Sequence, residues 1–422
     1  MLPTIRLLLQ NSYGQFKRST LLVNSMYLML GTVSVALFGF IFWVIVTRSY
    51  PSETVGMTAT LLSVSGLISM LGLVGFDTTF VRFLPHSKAM RDDDMSTGIV
   101  LVATMSGLLS LAFVLTLPIT SPSLTFVNHN AMYVGAFVFF TVVTSLNTLT
   151  NSIFLAFKSA RDIFIINLLF SALKVALPLL IAKGSAMTIF VLVGISQLAG
   201  LILSLLILRA QLGYSFKFRL HLDFLRYVKK YSSSVYISSI LNLLPPTLLP
   251  LIIVHQVGAA NAAYYYIAFT IATTLYTICY ASMQSAFAEG SHNQSEMKVH
   301  IRKAVHLIGV LLIPAILIIV IFGGFILRIF GGEYSIEGRS LLQLFAISAL
   351  GVAAYSTMGT IFKVTQHLRG VVIMNIVYAA LILGISYFLI PHYGVIAIGW
   401  AWLLGNVASA FVGFIFLKTR PT

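Results

Sequence analysis

The stretch AVHLIGVLLIPAILIIVIFGGFIL at residues 304–327 decides the structural class of this protein. It contains no Asp, Glu, Lys or Arg, and about 20 apolar residues in a helix cross the roughly 30 Å hydrocarbon core of a bilayer. Hydrocarbon offers no partner to backbone N–H and C=O groups, so such a segment must form an α-helix. The stretch is therefore predicted to be a transmembrane helix.

Similar apolar runs recur along all 422 residues, of which 58% are hydrophobic and only 9% are charged. Soluble domains carry about 25% charged residues, and no stretch here is long and polar enough to form one. The runs predict twelve transmembrane helices, at residues 21–47, 54–81, 96–118, 131–155, 163–183, 186–208, 231–254, 262–287, 304–327, 340–362, 370–390 and 394–417. The expected fold class is an all-α polytopic membrane protein.

The positive charge lies in short loops between these runs, which is typical of membrane topology rather than of a nucleic-acid partner. With the N-terminus in the cytoplasm, 21 of the 26 Lys and Arg residues fall on the cytoplasmic side. Only four fall outside, namely Arg48, Lys183, Arg328 and Arg339. We expect a multi-pass protein of the plasma (inner) membrane with both termini in the cytoplasm.

The longest polar connection, residues 209–230, divides the chain into an N-terminal half (1–208) and a C-terminal half (231–422), each with six spans. This connection contains FKFRLHLDFLRYVKK (216–230), which is basic on one face and rich in leucine and aromatic residues on the other. Such a segment is typical of a surface helix on anionic lipid. A plain linker between two bundles is the alternative.

Short matches between the halves indicate an internal repeat. NSMY (24–27) resembles SSVY (233–236), and FKSARDIFIIN (157–167) resembles FKVTQHLRGVVIMN (362–375) once a three-residue insertion is allowed. Both halves would begin and end in the cytoplasm and so share one orientation. We therefore predict two six-helix bundles of the kind from which many transporters are built around a central cavity.

Few ionisable side chains lie inside the predicted spans, where each costs a few kcal/mol and is functional by default. Lys174 lies about twelve residues into the fifth span, where it could contact a substrate or lipid phosphate, or pair with another helix. Asp77 and Arg82 lie near the inner end of the second span. Asp77 is a candidate for coupling to a proton or cation, although pairing with Arg82 or with a neighbouring helix is the alternative. Arg48 lies at the outer end of the first span.

Other polar and helix-breaking residues lie within the apolar runs. Embedded amides, including Asn24 and Asn242, suit a partly wet interior and are candidate substrate contacts, although interhelical hydrogen bonds are their common role. PPTLLP (245–250) should bend or break the seventh span, because proline removes a backbone donor. Trp400 and Trp402, near the outer part of the last span, suit an interfacial aromatic belt, and stacking against a sugar is the alternative.

Motifs for catalysis, metal binding and ATP hydrolysis are missing from the sequence. There is no Walker A pattern and no HExxH spacing, and the single cysteine, Cys279, excludes an intramolecular disulfide. We expect a protein that is not an enzyme and that has no cofactor and no metal site.

Residues 24–86 carry a family resemblance. An opening span, the turn YPSETVG (50–56) and a second span that ends in GFDTTFVRFLP (75–85) resemble the polysaccharide-biosynthesis or O-antigen (Wzx-type) flippases. That family belongs to the multidrug/oligosaccharidyl-lipid/polysaccharide (MOP) exporter superfamily. The resemblance extends to the whole layout of twelve spans in two bundles, and it implies the MATE-like fold of that superfamily.

This resemblance implies a transporter that flips a polyprenyl-diphosphate-linked oligosaccharide from the inner to the outer leaflet by alternating access. Its partners would be the lipid-linked oligosaccharide, membrane lipids and other polysaccharide-assembly proteins. In such flippases a cationic central cavity is thought to accept the diphosphate. Carried onto this chain, the candidate anion contacts are Arg48, Arg82 and Lys174. The chain departs from that pattern because it has few embedded cations, and none clearly inside the second bundle.

Three alternatives remain at the level of sequence. A cation-coupled multidrug exporter of the same superfamily typically has an acidic residue in its first span, where this chain has only Thr32 and Ser34 as its deepest polar groups. Lipid II flippases usually carry two additional spans. A membrane scaffold of a polysaccharide-assembly complex, which transports nothing, is the third.

Overall fold

A computed structural model describes residues 20–87, 90–181, 184–216, 222–292 and 297–419. Within these ranges the regular structure is entirely helical, with no β-strand. The α-helices are α1 (Thr20–Ser49), α2 (Ser52–Gly72), α3 (Phe76–Phe83), α4 (Arg91–Thr120), α5 (Ala131–Ala156), α6 (Ala160–Leu179), α7 (Ala186–Leu212), α8 (Leu222–Val257), α9 (Ala259–His292), α10 (Met297–Arg328), α11 (Gly332–Glu337), α12 (Arg339–Val364), α13 (Leu368–Tyr393) and α14 (Ile396–Thr419).

Twelve of these helices, all except the short α3 and α11, contain a segment long and apolar enough to cross a membrane. The predicted number of spans and the fold class are thereby confirmed. Because short connections join consecutive spans, the helices alternate in direction. We name the side on which α1 begins the basic face, and the other side the opposite face.

The second span is shorter than predicted, which corrects the range 54–81. Helix α2 ends at Gly72, and Val74 (φ 48°) and Gly75 (φ 81°) then adopt left-handed backbone angles. Two such residues in succession end a right-handed helix, and the angle is unusual for a β-branched valine. The chain resumes as α3, which packs against α5 and α8. Asp77 and Arg82 therefore lie outside the span, contrary to expectation.

The prolines of the seventh span do not break it, which corrects the expectation of a broken helix. Pro245, Pro246 and Pro250 all lie within the continuous helix α8, since neighbouring helices can satisfy the carbonyl groups that proline leaves free in a membrane. Of the predicted surface helix, residues 217–221 lie outside the described residues. Residues 222–230 are continuous with α8 rather than a separate helix.

The two halves pack their helices in the same order. In the N-terminal half α1 packs on α6, α5 on α7, and α6 on α7. In the C-terminal half the corresponding pairs are α8 with α13, α12 with α14, and α13 with α14. This correspondence is what an internal duplication produces, whereas the precise limits of the two halves remain a prediction.

The turns after α5 and α12 give the register of the repeat. Lys158 and Gln366, 208 positions apart, both have φ of 58°. The N–H of Ser159 bonds to the oxygen of Phe154, and the N–H of His367 bonds to the oxygen of Phe362, each at 2.9 Å. Asn167 and Asn375 are also 208 apart, so the repeat needs no three-residue insertion here, and Lys158 corresponds to Gln366 rather than to Lys363.

Helix α2 joins the halves by packing against both α8 and α9. A Cβ atom added to Gly56 of α2 would lie only 1.7 Å from the main-chain oxygen of Ala259 in α9, so the two backbones touch near the opposite face. A shared core surrounds this contact and includes Phe42 and Val55 from the first half and Ile253 from the second.

Aromatic side chains dominate the C-terminal part of that core. Trp402 is only 3% exposed, and its ring lies 4.8 Å from that of Phe269 and 6.0 Å from that of Phe345. This residue is therefore a core residue, and its assignment to an interfacial belt was wrong. Trp400, two positions earlier, is half exposed.

The contact at Gly56 yields a prediction about packing between the halves. We expect Gly56→Ala to lower the thermal unfolding midpoint in detergent, because overpacking of a core costs about 1–3 kcal/mol. Gly66→Ala is the matched control on the same helix, since its added Cβ meets nothing within 4 Å and alanine favours a helix by about 1 kcal/mol. Equal midpoints for the two variants would contradict the close approach of α2 and α9.

Candidate functional site

A polar cavity of about 650 Å³ lies within the C-terminal half, toward the basic face. It is formed by the first turns of the membrane-spanning part of α8 and of α13, and by the last turns of α9 and α12. The ends of four neighbouring spans thus surround one space. Its polar walls include Ser238, Asn242, Tyr280, Gln284, Tyr355 and Lys363.

Among the described residues that line the cavity, Lys363 is the one with a charge, and none is Asp or Glu. It lies in the last turn of α12 and is exposed. The sequence analysis assigned Lys363 to the loops on topological grounds and so missed it as a site residue. The cavity therefore has a positive mouth and an uncharged interior.

A chain of hydrogen bonds crosses the cavity wall between α8, α12 and α13. The Nδ2 group of Asn242 donates to the hydroxyl oxygen of Tyr355 at 2.7 Å, and this hydroxyl donates to Oδ1 of Asn375. The Nδ2 group of Asn375 donates in turn to Oγ of Ser238 at 2.6 Å. Tyr355 and Asn375 are buried, so the chain fixes the position of Asn242 at the cavity surface.

Tyr280 and Gln284 lie one helical turn apart on α9 and face the same cavity. Gln284 is one of the embedded amides noted in the sequence, and Tyr280 could have been identified from it, because residues four apart share one face of a helix. Tyr355 had no comparable signal, because its partners lie on two other helices.

Lys174 lies between α6 and α1 rather than on the cavity wall. Its Nζ atom is 4.5 Å from the centroid of the Phe42 ring and 5.9 Å from that of Phe170. Such cation–π contacts contribute about 0.5–2 kcal/mol. No carboxylate pairs with this ammonium group within the described part of the chain. Since Phe42 belongs to the core shared by both halves, Lys174 lies close to their junction.

Arg48 connects the two halves at the opposite face. Its Nε donates to the main-chain oxygen of Ile329 at 2.9 Å, and its NH2 group donates to that of Arg328 at 2.7 Å. These oxygens lie at the C-terminus of α10, where the helix dipole favours a cation. In this conformation the guanidinium group therefore binds the protein itself. Asn24, near the start of α1, is half buried and does not line the cavity.

Asp77 and Arg82 lie on α3 at the basic face, and they form no ion pair with each other in the described structure. Burial raises the pKa of the Asp77 carboxyl group, although hydrogen bonds from backbone N–H groups at the start of α3 partly offset this effect. Arg82 lies 5.5 Å from the centroid of the Phe83 ring. Nearby, the Tyr236 hydroxyl donates to the main-chain oxygen of Leu71 at 2.6 Å and ties α8 to the end of α2.

The six candidates from the sequence are thus dispersed, and only Asn242 lines the cavity. Among the residues that the structure describes, no group of three or more His, Cys, Asp or Glu side chains could hold a metal ion.

A family description given as "Polysaccharide biosynthesis protein" matches residues 21–288, more than half of the chain. The chain belongs to the polysaccharide biosynthesis protein family. The family resemblance found in the sequence is thereby confirmed. No curated protein matches the chain in sequence.

Solved structures show the same fold for this family member. The "Lipid II flippase MurJ, inward closed conformation" has a TM-score of 0.72 at 13% identity, over 94% of this chain and 88% of that one. An inward-facing multidrug resistance MATE transporter of the MOP superfamily has a TM-score of 0.67 at 15% identity, over 92% and 94%. A MOP superfamily transporter from Pyrococcus furiosus, described as having a binding pocket of reverse polarity, has a TM-score of 0.58 at 16% identity, over 95% of both chains.

These similarities, at 13–16% identity, establish the fold, which this chain shares with those membrane transporters. The MATE-like fold expected from the sequence is thereby confirmed.

The hydrogen-bonded chain yields a second prediction. We expect Tyr355→Phe to lower the thermal unfolding midpoint, because it removes the acceptor of the half-buried Asn242 amide and leaves the buried Oδ1 atom of Asn375 without a donor, and an unpaired buried polar group costs about 1–3 kcal/mol. Tyr280→Phe is the matched control, since the Tyr280 hydroxyl has no hydrogen-bond partner in the described part of the chain and its side chain is 42% exposed. A midpoint for Tyr355→Phe equal to that of Tyr280→Phe would show that the chain does not stabilise the cavity wall.

Arg48 yields a third prediction. We expect Arg48→Ala to increase the population in which the halves separate at the opposite face, roughly fivefold for each lost hydrogen bond of about 1 kcal/mol. The measurement is the distance between spin labels at the exposed positions Met132 and Ile336, in a Cys279→Ala background.

Arg328→Ala is the matched control, because it removes a cation but keeps the main-chain oxygen that Arg48 binds. Identical distance distributions in Arg48→Ala and Arg328→Ala would contradict a role for Arg48 in closing this face.

Proposed function

We propose that this protein is a transporter that flips a polyprenyl-diphosphate-linked oligosaccharide from the inner to the outer leaflet by alternating access. Its family and its transporter fold support this class of function. The observation that carries the choice of substrate is the polarity of the cavity. Within the described part of the chain, its lining residues include one cation, Lys363, and no carboxylate.

The polarity of the cavity favours an anionic over a cationic ligand. A positively charged drug that leaves water needs a nearby carboxylate to offset its desolvation, since a charge in a low dielectric is costly without a partner. The residues of the lining that the structure describes include no carboxylate. A diphosphate needs a cation, and the exposed ammonium group of Lys363 at the mouth can provide the charge-assisted contact.

The proposed orientation in the membrane follows from the Lys and Arg residues of the loops. We propose that the basic face is cytoplasmic, in the inner (plasma) membrane, because loops rich in Lys and Arg stay inside. The cavity then opens toward the cytoplasm, where a ligand would load. On the outside, the Gly56–Ala259 backbone contact and the bonds of Arg48 to the end of α10 hold the halves together. Release would require these contacts to part.

We place Lys174 as a second anion contact, along the junction of the halves. Its ammonium group is held over the faces of Phe42 and Phe170 without a carboxylate partner in the described structure. A phosphate could replace these weak contacts without breaking an ion pair. Arg82 and Asn24 remain candidate contacts near the basic face, and Asp77 remains the candidate for ion coupling.

A fourth prediction tests transport. In liposomes that contain a fluorescent polyprenyl-diphosphate oligosaccharide, we expect Lys174→Ala to slow leaflet exchange about tenfold, which corresponds to about 1.4 kcal/mol of lost interaction. Lys418→Ala is the matched control, because its Nζ also lies over a ring, 4.8 Å from the centroid of Phe414, at the end of α14.

Equal exchange rates for these two variants would show that Lys174 does not contact the ligand during leaflet exchange. Failure of the wild-type protein to exchange the lipid, together with export of cationic dyes driven by an ion gradient, would overturn the proposed substrate class.

A further inference from the structure

We infer that the cavity of the C-terminal half is a subsite for the uncharged sugar residues of the ligand, with Lys363 at its mouth positioned for the diphosphate. The inference rests on the proposed function for the identity of the ligand. It adds where the ligand binds in the molecule, and it assigns the sugars, the diphosphate and the lipid to different places. The sugars would enter the polar cavity, while the polyprenyl chain stays in the bilayer.

The size and lining of the cavity suit a short saccharide. Pockets for small ligands measure roughly 300–1,000 Å³, and this one measures about 650 Å³. Hydroxyl and amide side chains from all four helices line it, among them Ser239, Gln284, Thr360 and Asn375. A polyprenyl chain would leave the side chains of Ser239 and Gln284 unpaired, at a cost of about 1–3 kcal/mol for each group.

The cavity also offers free hydrogen-bonding groups. The side chains of Ser239, Tyr280 and Gln284 have no hydrogen-bond partner in the described part of the chain. Pro246 has no N–H, so the main-chain oxygen of Asn242 lacks its helical donor. Sugar hydroxyl groups both donate and accept hydrogen bonds, so they can bind hydroxyl, amide and carbonyl groups alike.

The hydrogen-bonded chain fixes the wall that a sugar would meet. Because the Nδ2 group of Asn242 donates to Tyr355, and Tyr355 is held by Asn375, the Oδ1 atom of Asn242 remains as an acceptor of fixed direction. Side chains locked by their neighbours lose less conformational freedom when a ligand binds.

Aromatic rings complete the site. Tyr280 and Phe287 line the cavity and are 42% and 37% exposed. An exposed aromatic face is apolar, and it can cover the C–H face of a pyranose ring while the hydroxyl groups at the ring edge bind the polar wall. The uncharged interior matches neutral sugars, whereas Lys363 at the rim matches the diphosphate that links them to the lipid.

Thiol protection tests this arrangement in the full-length protein. Gly359 lines the cavity, and a side chain there would meet nothing within 4 Å. We would measure how fast G359C, in a Cys279→Ala background, reacts with a small water-soluble maleimide. The two probes are a polyprenyl diphosphate that carries one N-acetylhexosamine and the same lipid diphosphate without sugar.

The glycolipid should slow modification of G359C about tenfold at ten times its dissociation constant, by mass action, and the bare lipid should not. G332C, at an exposed position on α11 with open space around it, is the control that neither probe should protect. The double variant Tyr280→Ala and Gln284→Ala should abolish protection by the glycolipid. S239C repeats the measurement on α8 if G359C does not fold.

Equal protection by both lipids would overturn the inference, because the cavity would then hold the diphosphate or the lipid. No protection by a saturating glycolipid would overturn it as well. Leaflet exchange measured on the same sample separates the two proposals. Exchange without protection would overturn the sugar subsite and leave transport intact, whereas protection without exchange would overturn transport and leave the subsite.

Discussion

The bilayer core cannot form hydrogen bonds, and the rest of this structure depends on that constraint. Each span must form the hydrogen bonds of its backbone N–H and C=O groups within a helix. The spans therefore differ from one another mainly in their side chains. The departures from regular helix lie at helix ends, as at Val74 and Gly75 after α2. The polar cavity between α8, α9, α12 and α13 lies where the ends of several helices meet.

The two halves share the helix order that an internal duplication produces, and the polar cavity lies where their sequences differ. At the 208-residue register, Asn375 of the cavity wall corresponds to Asn167, and Tyr355 corresponds to Asn147, which instead bonds to the main-chain oxygen of Gln197. Lys174 corresponds to Ile382, which is fully buried. The two halves thus share their helix packing but differ in the polar side chains at equivalent positions. The first half carries a cation near the junction, and the second half carries a polar cavity.

The sequence predicted the twelve spans because length and hydropathy alone decide what crosses a membrane. It failed where conformation depends on neighbours. The residues directly after Gly72 are as apolar as those of a span, so hydropathy did not reveal that the left-handed residues Val74 and Gly75 end α2. The prolines of α8, in contrast, lie within a continuous helix. Trp402 was placed in an interface because its position near a span end does not reveal its buried aromatic partners. Asn242 was found as an embedded amide, but its bond to Tyr355 required the fold.

The contacts that close the opposite face differ in how readily they can part. Those of Arg48 join an exposed guanidinium group to carbonyl groups at a helix end, and water can replace both partners at little cost. The backbone contact of Gly56 with Ala259 loses only dispersion energy when it opens. Phe42 and Ile253, in contrast, would expose apolar surface if their shared core were separated. In the transport cycle that we propose, the halves would therefore part first at the exposed contacts of Arg48 on the opposite face and turn about the shared apolar core.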